Sequence, residues 1–174
     1  MVDGDDDLAF RLITSDSKCK YFELQNDIRC SDWRDFDHCR QITKEEVKVH
    51  VDGNRGRPGS LVSLDRSPRR FWNISKQYTN RIGGYTVAII DMRLMERLGI
   101  RYADTRAELG LEGGYARMYH LVVHGWVPSR CILGTVSGVL FEKLYQRSGI
   151  SCASQSTIHK KGPWNIVLWA QPCV

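Results

Sequence analysis

The sequence contains no stretch that could cross a membrane as a helix, because no apolar run approaches the roughly 20 residues that such a helix needs. It also contains no Cys-x-x-Cys pair, and no histidines and cysteines at the spacing of zinc ligands, so we expect no metal site. Internal repeats and low-complexity runs are absent as well. What is left is an ordinary globular composition, with 42% hydrophobic and 26% charged residues in a 174-residue chain, which predicts one folded domain.

A secretory signal peptide is also missing, since Met1 is followed directly by an acidic stretch that ends at Asp7. We predict an acidic tail over residues 1–7 and a single domain over residues 8–174. The six cysteines are spread along the chain, which favours disulfides over metal binding. The acidic stretch after Met1 is either a natural cytosolic start or the mature N-terminus of a secreted protein. Together with the glycosylation sequon Asn73-Ile74-Ser75, the cysteines favour the secreted alternative, and such a protein could act inside a host cell.

The net charge is +5, and the excess of positive charge lies mainly between Arg55 and Arg81. Basic side chains in this segment outnumber the single acid Asp65; they are Arg55, Arg57, Arg66, Arg69, Arg70, Lys76 and Arg81. Such a segment can hold a phosphate-bearing ligand or an acidic partner, and it can equally be a solvated loop. Because the segment also contains the aromatic residues Phe71 and Trp72, it is compatible with binding of a polyanion or nucleic acid. We rank nucleic acid last among the partners.

Hydrophobic periodicity and turn residues predict an α+β fold of short strands and helices. The predicted strands are Leu8–Ile13, Glu46–Val51, Ser60–Leu64, Tyr85–Ile90 and Leu121–Val123. We predict helices near Tyr21–Asn26, from Ser67 onwards and over Met92–Leu98, a long loop over Arg101–Arg117, and an amphipathic segment over Val136–Arg147.

Two kinds of polar residue interrupt or flank the apolar strands. Arg11 lies inside the first strand, where it is either an edge residue facing water or a residue that binds a ligand or a polar network, because a buried guanidinium must be paired. His120 and His124 flank the apolar run Leu121–Val123, so that strand offers titratable groups at both ends.

Several short segments occur in a characteristic order along the chain. They are Phe10-Arg11, His38-Cys39-Arg40, Leu61–Asp65, Met118-Tyr119-His120 and Gly125-Trp126-Val127-Pro128. In this order the sequence resembles the A1 chains of the cholera toxin and heat-labile enterotoxin family, which are ADP-ribosyltransferases. The resemblance covers nearly the whole chain. It implies a single-domain ADP-ribosyltransferase fold with two small packed sheets, mixed or antiparallel, and short flanking helices.

The resemblance also implies site residues and a substrate. Arg11, His38 and Ser63 would bind NAD, with Ser63 also bracing the catalytic centre. The two catalytic glutamates of the family correspond to Met118 and His120, so Ser63 and His120 are the remaining, degenerate catalytic positions. A glutamate at position 120 would stabilise the oxocarbenium-like ribose as nicotinamide leaves, and an imidazole cannot supply that negative charge.

Three functions remain open from the sequence. The first is a secreted, enterotoxin-like effector without transferase activity, a pseudoenzyme that binds a host protein. The second is an active ADP-ribosyltransferase or NAD glycohydrolase that uses a relocated acid, for which the candidates are Asp65, Asp104, Glu108 and Glu112. The third is the polyanion binder. By resemblance, Cys173 could also link the chain to a second chain through a disulfide; the alternative is an internal disulfide, for example with Cys152.

Overall fold

The computed structural model describes residues 7–30, 40–52, 59–76, 84–112 and 119–147. The strands are β1 (Leu8–Ile13), β2 (Lys20–Phe22), β3 (Asp27–Arg29), β4 (Leu61–Asp65), β5 (Thr86–Asp91), β6 (Tyr102–Asp104), β7 (His120–His124), β8 (Trp126–Val127) and β9 (Ile132–Ser137). The helices are α1 (Lys44–Asp52), α2 (Pro68–Ser75), α3 (Met92–Arg97) and α4 (Gly138–Arg147), and one 3-10 turn covers Ser129–Cys131. None of the described helices is long and apolar enough to span a membrane.

The strands form two antiparallel sheets. The larger sheet has the order β6-β7-β4-β1-β5-β9, and the smaller has the order β2-β3-β8. The predicted α+β class with two small sheets is therefore confirmed, and both sheets are antiparallel rather than mixed. In the large sheet β1 is a central strand, with β4 on one side and β5 on the other.

The alternation of side chains along the strands divides the core between the two faces of the large sheet. On one face, apolar side chains of the large sheet pack with Ile28 and Val127 of the small sheet. On the other face, the central strands pack against Phe71 of α2 and Phe141 of α4. A third cluster joins Leu61 and Val122 to Val47 of α1. Helix α3 packs on the first of these faces through Met92 and Met95, and the face that carries α1, α2 and α4 is the one on which Ser63, Asp65 and His120 of the candidate site lie.

Two predicted helices begin where their capping residues indicate. The Ser67 side chain accepts a hydrogen bond from the backbone N–H of Arg70, with Pro68 at the first helical position of α2. The Asp91 carboxylate accepts from the backbone N–H of Leu94 at the start of α3. The predicted strands that correspond to β1, β4, β5 and β7 are also confirmed.

The predicted strand over Glu46–Val51 is wrong, because these residues belong to helix α1. The helix begins with a reciprocal capping box: the backbone N–H of Glu46 donates to the Thr43 hydroxyl (3.3 Å), and the backbone N–H of Thr43 donates to the Glu46 carboxylate (2.9 Å). The alternation of valines was misleading, since Val47 is buried while Val49 and Val51 are exposed.

The predicted helix near Tyr21–Asn26 is also wrong, because the chain forms the hairpin β2–β3 there. Asn26 has a φ of 51°, a left-handed conformation that asparagine tolerates in turns. The Tyr21 hydroxyl donates to the side-chain oxygen of Asn26 (2.6 Å), which holds the turn. The loop predicted over Arg101–Arg117 contains strand β6, and its residues 113–117 lie outside the described ranges.

The described part of the chain includes Cys19, Cys30 and Cys131, which are buried and form no disulfide with one another. Burial raises the pKa of Cys19, and it raises the pKa of Cys131 to about 11, so neither thiol is a reactive thiolate near neutral pH. The predicted disulfides, including the link through Cys173, lie outside the described residues.

Candidate functional site

The candidate site lies where β1 and β4 separate. Strand β1 pairs with β5 at six consecutive positions, from Leu8 with Asp91 to Ile13 with Thr86. With β4 it pairs only at Phe10 and Asp65. The backbone groups of β4 beyond this point face an opening instead of a neighbouring strand, and side chains must satisfy them.

Arg11 spans this opening. Its Nη1 atom donates a hydrogen bond to the backbone carbonyl of Ser63 at 3.0 Å, across 52 residues of sequence. Its Nε atom is buried and has no hydrogen-bond partner among the described residues. Because β1 is a central strand, Arg11 is not a solvated edge residue, which leaves the alternative that it serves a polar network or a ligand.

Ser63 also contacts a histidine that the sequence analysis missed. The hydroxyl of Ser63 lies 2.7 Å from Nε2 of His50, in the last turn of α1. Burial, together with the positive charges of Arg11 and Lys18, lowers the pKa of His50 to about 4, so its imidazole is neutral near pH 7. The signal that could have found it is the capping box at Thr43, which would have predicted the helix that carries His50 to the sheet.

The resemblance assigned NAD binding to a different histidine, His38, which lies outside the described residues. Met118, the other substituted glutamate position, lies outside them too. The structure therefore brings Arg11, Ser63 and His120 together, and it adds His50 to them. Their catalytic and binding roles stay predictions.

His120 begins β7 and lies directly opposite Asp65 in the β4–β7 register. Both residues are buried, and both are on the face of the sheet that carries Ser63. The carboxylate of Asp65 is engaged on both oxygens: Oδ1 accepts from the backbone N–H of Ser67 (2.9 Å), and Oδ2 forms an ion pair with Nη1 of Arg70 (2.9 Å). A negative charge is thus present beside position 120, on the neighbouring strand.

These side chains line a cavity of about 430 Å³, which is within the range of small-molecule binding sites. Strand β1, strand β4, the last turn of α1 and the first half of α2 provide most of its wall. The lining includes Arg11, Leu12, Asp16, His50, Ser63, Asp65, Arg70, Phe71 and His120. Two guanidinium groups in one cavity suit a ligand that carries phosphate or carboxylate groups.

The close pair of Ser63 and His50 has the spacing of a nucleophile and its base. A histidine with a pKa of about 4 is a weak base near pH 7, however, because a general base works best when its pKa is close to the operating pH. The pair is therefore better suited to holding the wall of the cavity than to hydrolysis.

Of the four acids considered as replacements for the missing glutamate, Asp65 is the one that lines the described cavity. Asp104 accepts hydrogen bonds from the backbone N–H groups of Arg106 and Ala107, and Glu108 accepts from the backbone N–H of Asp104. These two acids thus stabilise the turn that follows β6. Glu112 is exposed.

Three basic side chains of the segment, Arg66, Arg70 and Lys76, contact other residues of the protein. Arg66 donates to the Tyr102 hydroxyl (2.8 Å), and the ammonium group of Lys76 lies 3.3 Å from the centre of the Trp72 ring. Phe71 is buried in the core and is not exposed for stacking on a base. Arg55, Arg57 and Arg81 lie outside the described residues. The described residues contain no group of three or more histidine, cysteine, aspartate or glutamate side chains that could hold a metal ion.

Comparison with known proteins places the chain in a family. The chain belongs to the family described as Domain of unknown function (DUF7587), which matches residues 5–140. The match includes every described residue that lines the cavity. No curated protein and no solved structure matches the chain.

Proposed function

We propose that this member of the DUF7587 family is a secreted, enterotoxin-A-like effector with an ADP-ribosyltransferase fold, whose cleft binds NAD but does not transfer ADP-ribose. The protein would then act by binding a host protein as a pseudoenzyme. The observation that carries the proposal is the composition of the cavity: Arg11, Ser63 and His50 line it together, and a histidine lies where the resemblance requires a glutamate.

Binding of NAD is supported by Arg11 and Ser63, the residues to which the resemblance assigns that role. They are far apart in sequence, and the hydrogen bond from Arg11 to the Ser63 carbonyl joins them across the opening between β1 and β4. The guanidinium keeps further donors beyond this bond, in a geometry that matches phosphate oxygens. The cavity volume of about 430 Å³ accommodates a substantial part of a dinucleotide.

Loss of transfer is supported by the charges around position 120. When nicotinamide leaves NAD, the ribose develops positive charge, which an adjacent carboxylate stabilises. His120 carries no carboxylate, and the nearest one on the neighbouring strand, Asp65, is already paired with Arg70. By analogy with the removal of one oxyanion-hole donor, we expect a loss of at least about 10²–10³ in rate.

The test is titration calorimetry with NAD, together with incubation of the protein with labelled NAD and a cell lysate. We expect binding to the wild type, weaker binding to Arg11→Lys, loss of binding in Arg11→Ala, and no labelled protein. Arg93→Ala is the matched control, because Arg93 is exposed and pairs with Asp7 away from the cavity. Circular dichroism of each variant separates loss of binding from loss of fold.

Either of two results overturns the proposal. Absence of NAD binding by the folded wild type removes the cleft function. A robust labelled product that disappears in Arg11→Ala shows instead that the protein is a transferase.

One observation favours a second candidate, an active transferase or NAD glycohydrolase with a relocated acid. Asp65 lies directly across the strand pair from His120 and lines the same cavity, so a carboxylate is one strand away from the expected position. In that case Asp65→Asn abolishes consumption of NAD while Asp91→Asn, which alters a helix cap elsewhere, leaves it unchanged. If the wild type does not consume NAD, this candidate is excluded.

A further inference from the structure

The ion pair between Asp65 and Arg70 lies inside the cavity rather than on the outer surface. The distance from Nη1 of Arg70 to Oδ2 of Asp65 is 2.9 Å, and the side chains of Asp65 and Arg70 are 7% and 19% exposed. Both residues line the cavity, and Arg70 extends into it from the first turn of α2. A cation of the binding cavity is thus already balanced by a carboxylate of the protein itself.

The charges of the lining explain why this pairing matters for binding. Among the described lining residues, Arg11 and Arg70 are the arginines and Asp16 and Asp65 are the acids, and His50 is neutral near pH 7. The hydrogen bond from Arg11 to the Ser63 carbonyl has a neutral acceptor, whereas Arg70 has an anionic one. An anionic ligand therefore competes with the negatively charged Asp65 for Arg70, whereas at Arg11 the acceptor already present, the Ser63 carbonyl, is neutral.

We propose that Arg70 is a receptor for a phosphate group of the ligand, and that Asp65 occupies Arg70 in the unliganded protein as an internal anion. This inference rests on the proposed function, since it assigns the part of the same cleft that recognises phosphate. A guanidinium binds phosphate through two parallel hydrogen bonds, so a phosphate competes directly with the Asp65 carboxylate.

The position of Asp65 lowers the cost of such an exchange. Breaking a buried ion pair is costly when it leaves one charge without a partner. Asp65 keeps its hydrogen bond from the backbone N–H of Ser67 when Arg70 turns to a ligand, and it stays at the N-terminal end of α2, where negative charge is favourable. The carboxylate can thus release Arg70 without becoming an unpaired buried charge.

The critical variant is Asp65→Asn, because asparagine keeps a side-chain oxygen for the Ser67 N–H and removes the charge. We expect it to bind ADP-ribose and inorganic pyrophosphate about three- to tenfold more tightly than the wild type, by calorimetry. Arg70→Gln weakens both, and the Asp65→Asn gain disappears in the double variant. Adenosine, which carries no phosphate, distinguishes a charge effect from a change of cavity shape, because its affinity stays constant.

Asp91→Asn is the matched control, since Asp91 also ends a strand of the large sheet and caps the helix that follows, outside the cavity lining. It leaves all affinities unchanged. Arg70→Lys is a second variant at the receptor, which keeps the charge without the bidentate geometry and gives intermediate affinity. Neither Arg70→Gln nor Arg70→Lys removes the backbone N–H of residue 70, which donates to the Ser67 side chain that caps α2.

The outcomes separate this inference from the proposed function. Weaker or unchanged pyrophosphate binding in Asp65→Asn overturns the inference, because the carboxylate then orients Arg70 or has no effect. Arg11-dependent NAD binding that ignores Arg70 and Asp65 leaves the proposed function standing alone. If pyrophosphate binds through Arg70 but NAD does not bind, the result supports the inference and contradicts the proposed function. Absence of binding to every probe overturns both.

Discussion

The two sides of strand β4 differ in how they are paired. Toward β7, all five residues of β4 have a partner, from Leu61 with His124 to Asp65 with His120. Toward β1, a single pair joins Phe10 to Asp65. The paired side forms part of the core, and the unpaired side forms the wall of a cavity. The same strand thus supplies both stability and a candidate site.

Side-chain chemistry follows this division. Where β4 pairs with β7, the side chains of Val62 and Leu64 pack with those of Leu121 and Val123 between the two sheets. On the unpaired side the Arg11 guanidinium donates a hydrogen bond to the Ser63 carbonyl, in place of the backbone N–H of a neighbouring strand. Apolar burial therefore stabilises one side of the strand, and polar contacts hold the other in an open arrangement.

The largest expected effect is on the paired side. Leu121→Ala removes a fully buried side chain opposite Leu64, so we expect a loss of about 2–5 kcal/mol in the free energy of unfolding. Leu12→Ala, on the open side, removes a half-buried side chain and costs less than half as much. Urea denaturation of both variants measures the difference, and equal losses would contradict the division.

The next effect is a pH dependence from the open side. The folded pKa of His50, about 4, lies below the ordinary value of 6.5, so between these values the unfolded chain binds a proton that the folded chain does not. Its contribution is complete above about pH 6.5 and is lost as the pH falls to about 4, on the order of 3 kcal/mol. His50→Gln removes this part of the slope in urea denaturation curves. An unchanged slope disproves the assignment.

Removal of the bridging arginine has a smaller expected effect on stability. Arg11→Met leaves the Ser63 carbonyl without its hydrogen bond at the opening, which costs about 1–3 kcal/mol. Arg11→Lys keeps a donor and recovers part of the loss. Thermal denaturation compares the two, and a methionine variant as stable as the wild type shows that the bridge does not hold the strands.

The smallest effect is expected at the hydroxyl that contacts His50. Ser63→Ala removes a single hydrogen bond at the wall of the cavity and costs about 0.5–1.5 kcal/mol. The same substitution in a His50→Gln background costs less, because the two groups interact. A double-mutant cycle measures this coupling, and strictly additive losses argue against the contact.

Much of the fold was predictable because it depends on local patterns. The apolar runs of Leu8–Ile13, Leu61–Leu64 and Leu121–Val123 predict strands, and Ser67-Pro68 predicts the start of a helix. The errors at α1 and at the β2–β3 hairpin had local causes too. The valine alternation outweighed the capping box in one, and the turn chemistry of Asn26 was overlooked in the other.

The candidate site was predictable only in part. The resemblance predicted that Arg11, Ser63 and His120 belong to one site, and in the structure all three line one cavity. His50 was missed, because its contact with Ser63 requires both the helical state of α1 and the position of that helix on the sheet. The pairing of Asp65 with Arg70 was missed for a similar reason, since neighbouring charges in sequence do not reveal which of them line a cavity.

The sequence by itself determined the strand centres, the helix caps and the absence of a glutamate at position 120, because these depend on residue identity and on neighbours within a few positions. Only the tertiary structure decided that β1 separates from β4 after one residue pair, and that Arg11, His50, Asp65 and Arg70 surround the opening. Strand pairing joins residues far apart in the chain, and its extent depends on the packing of the whole sheet against its helices.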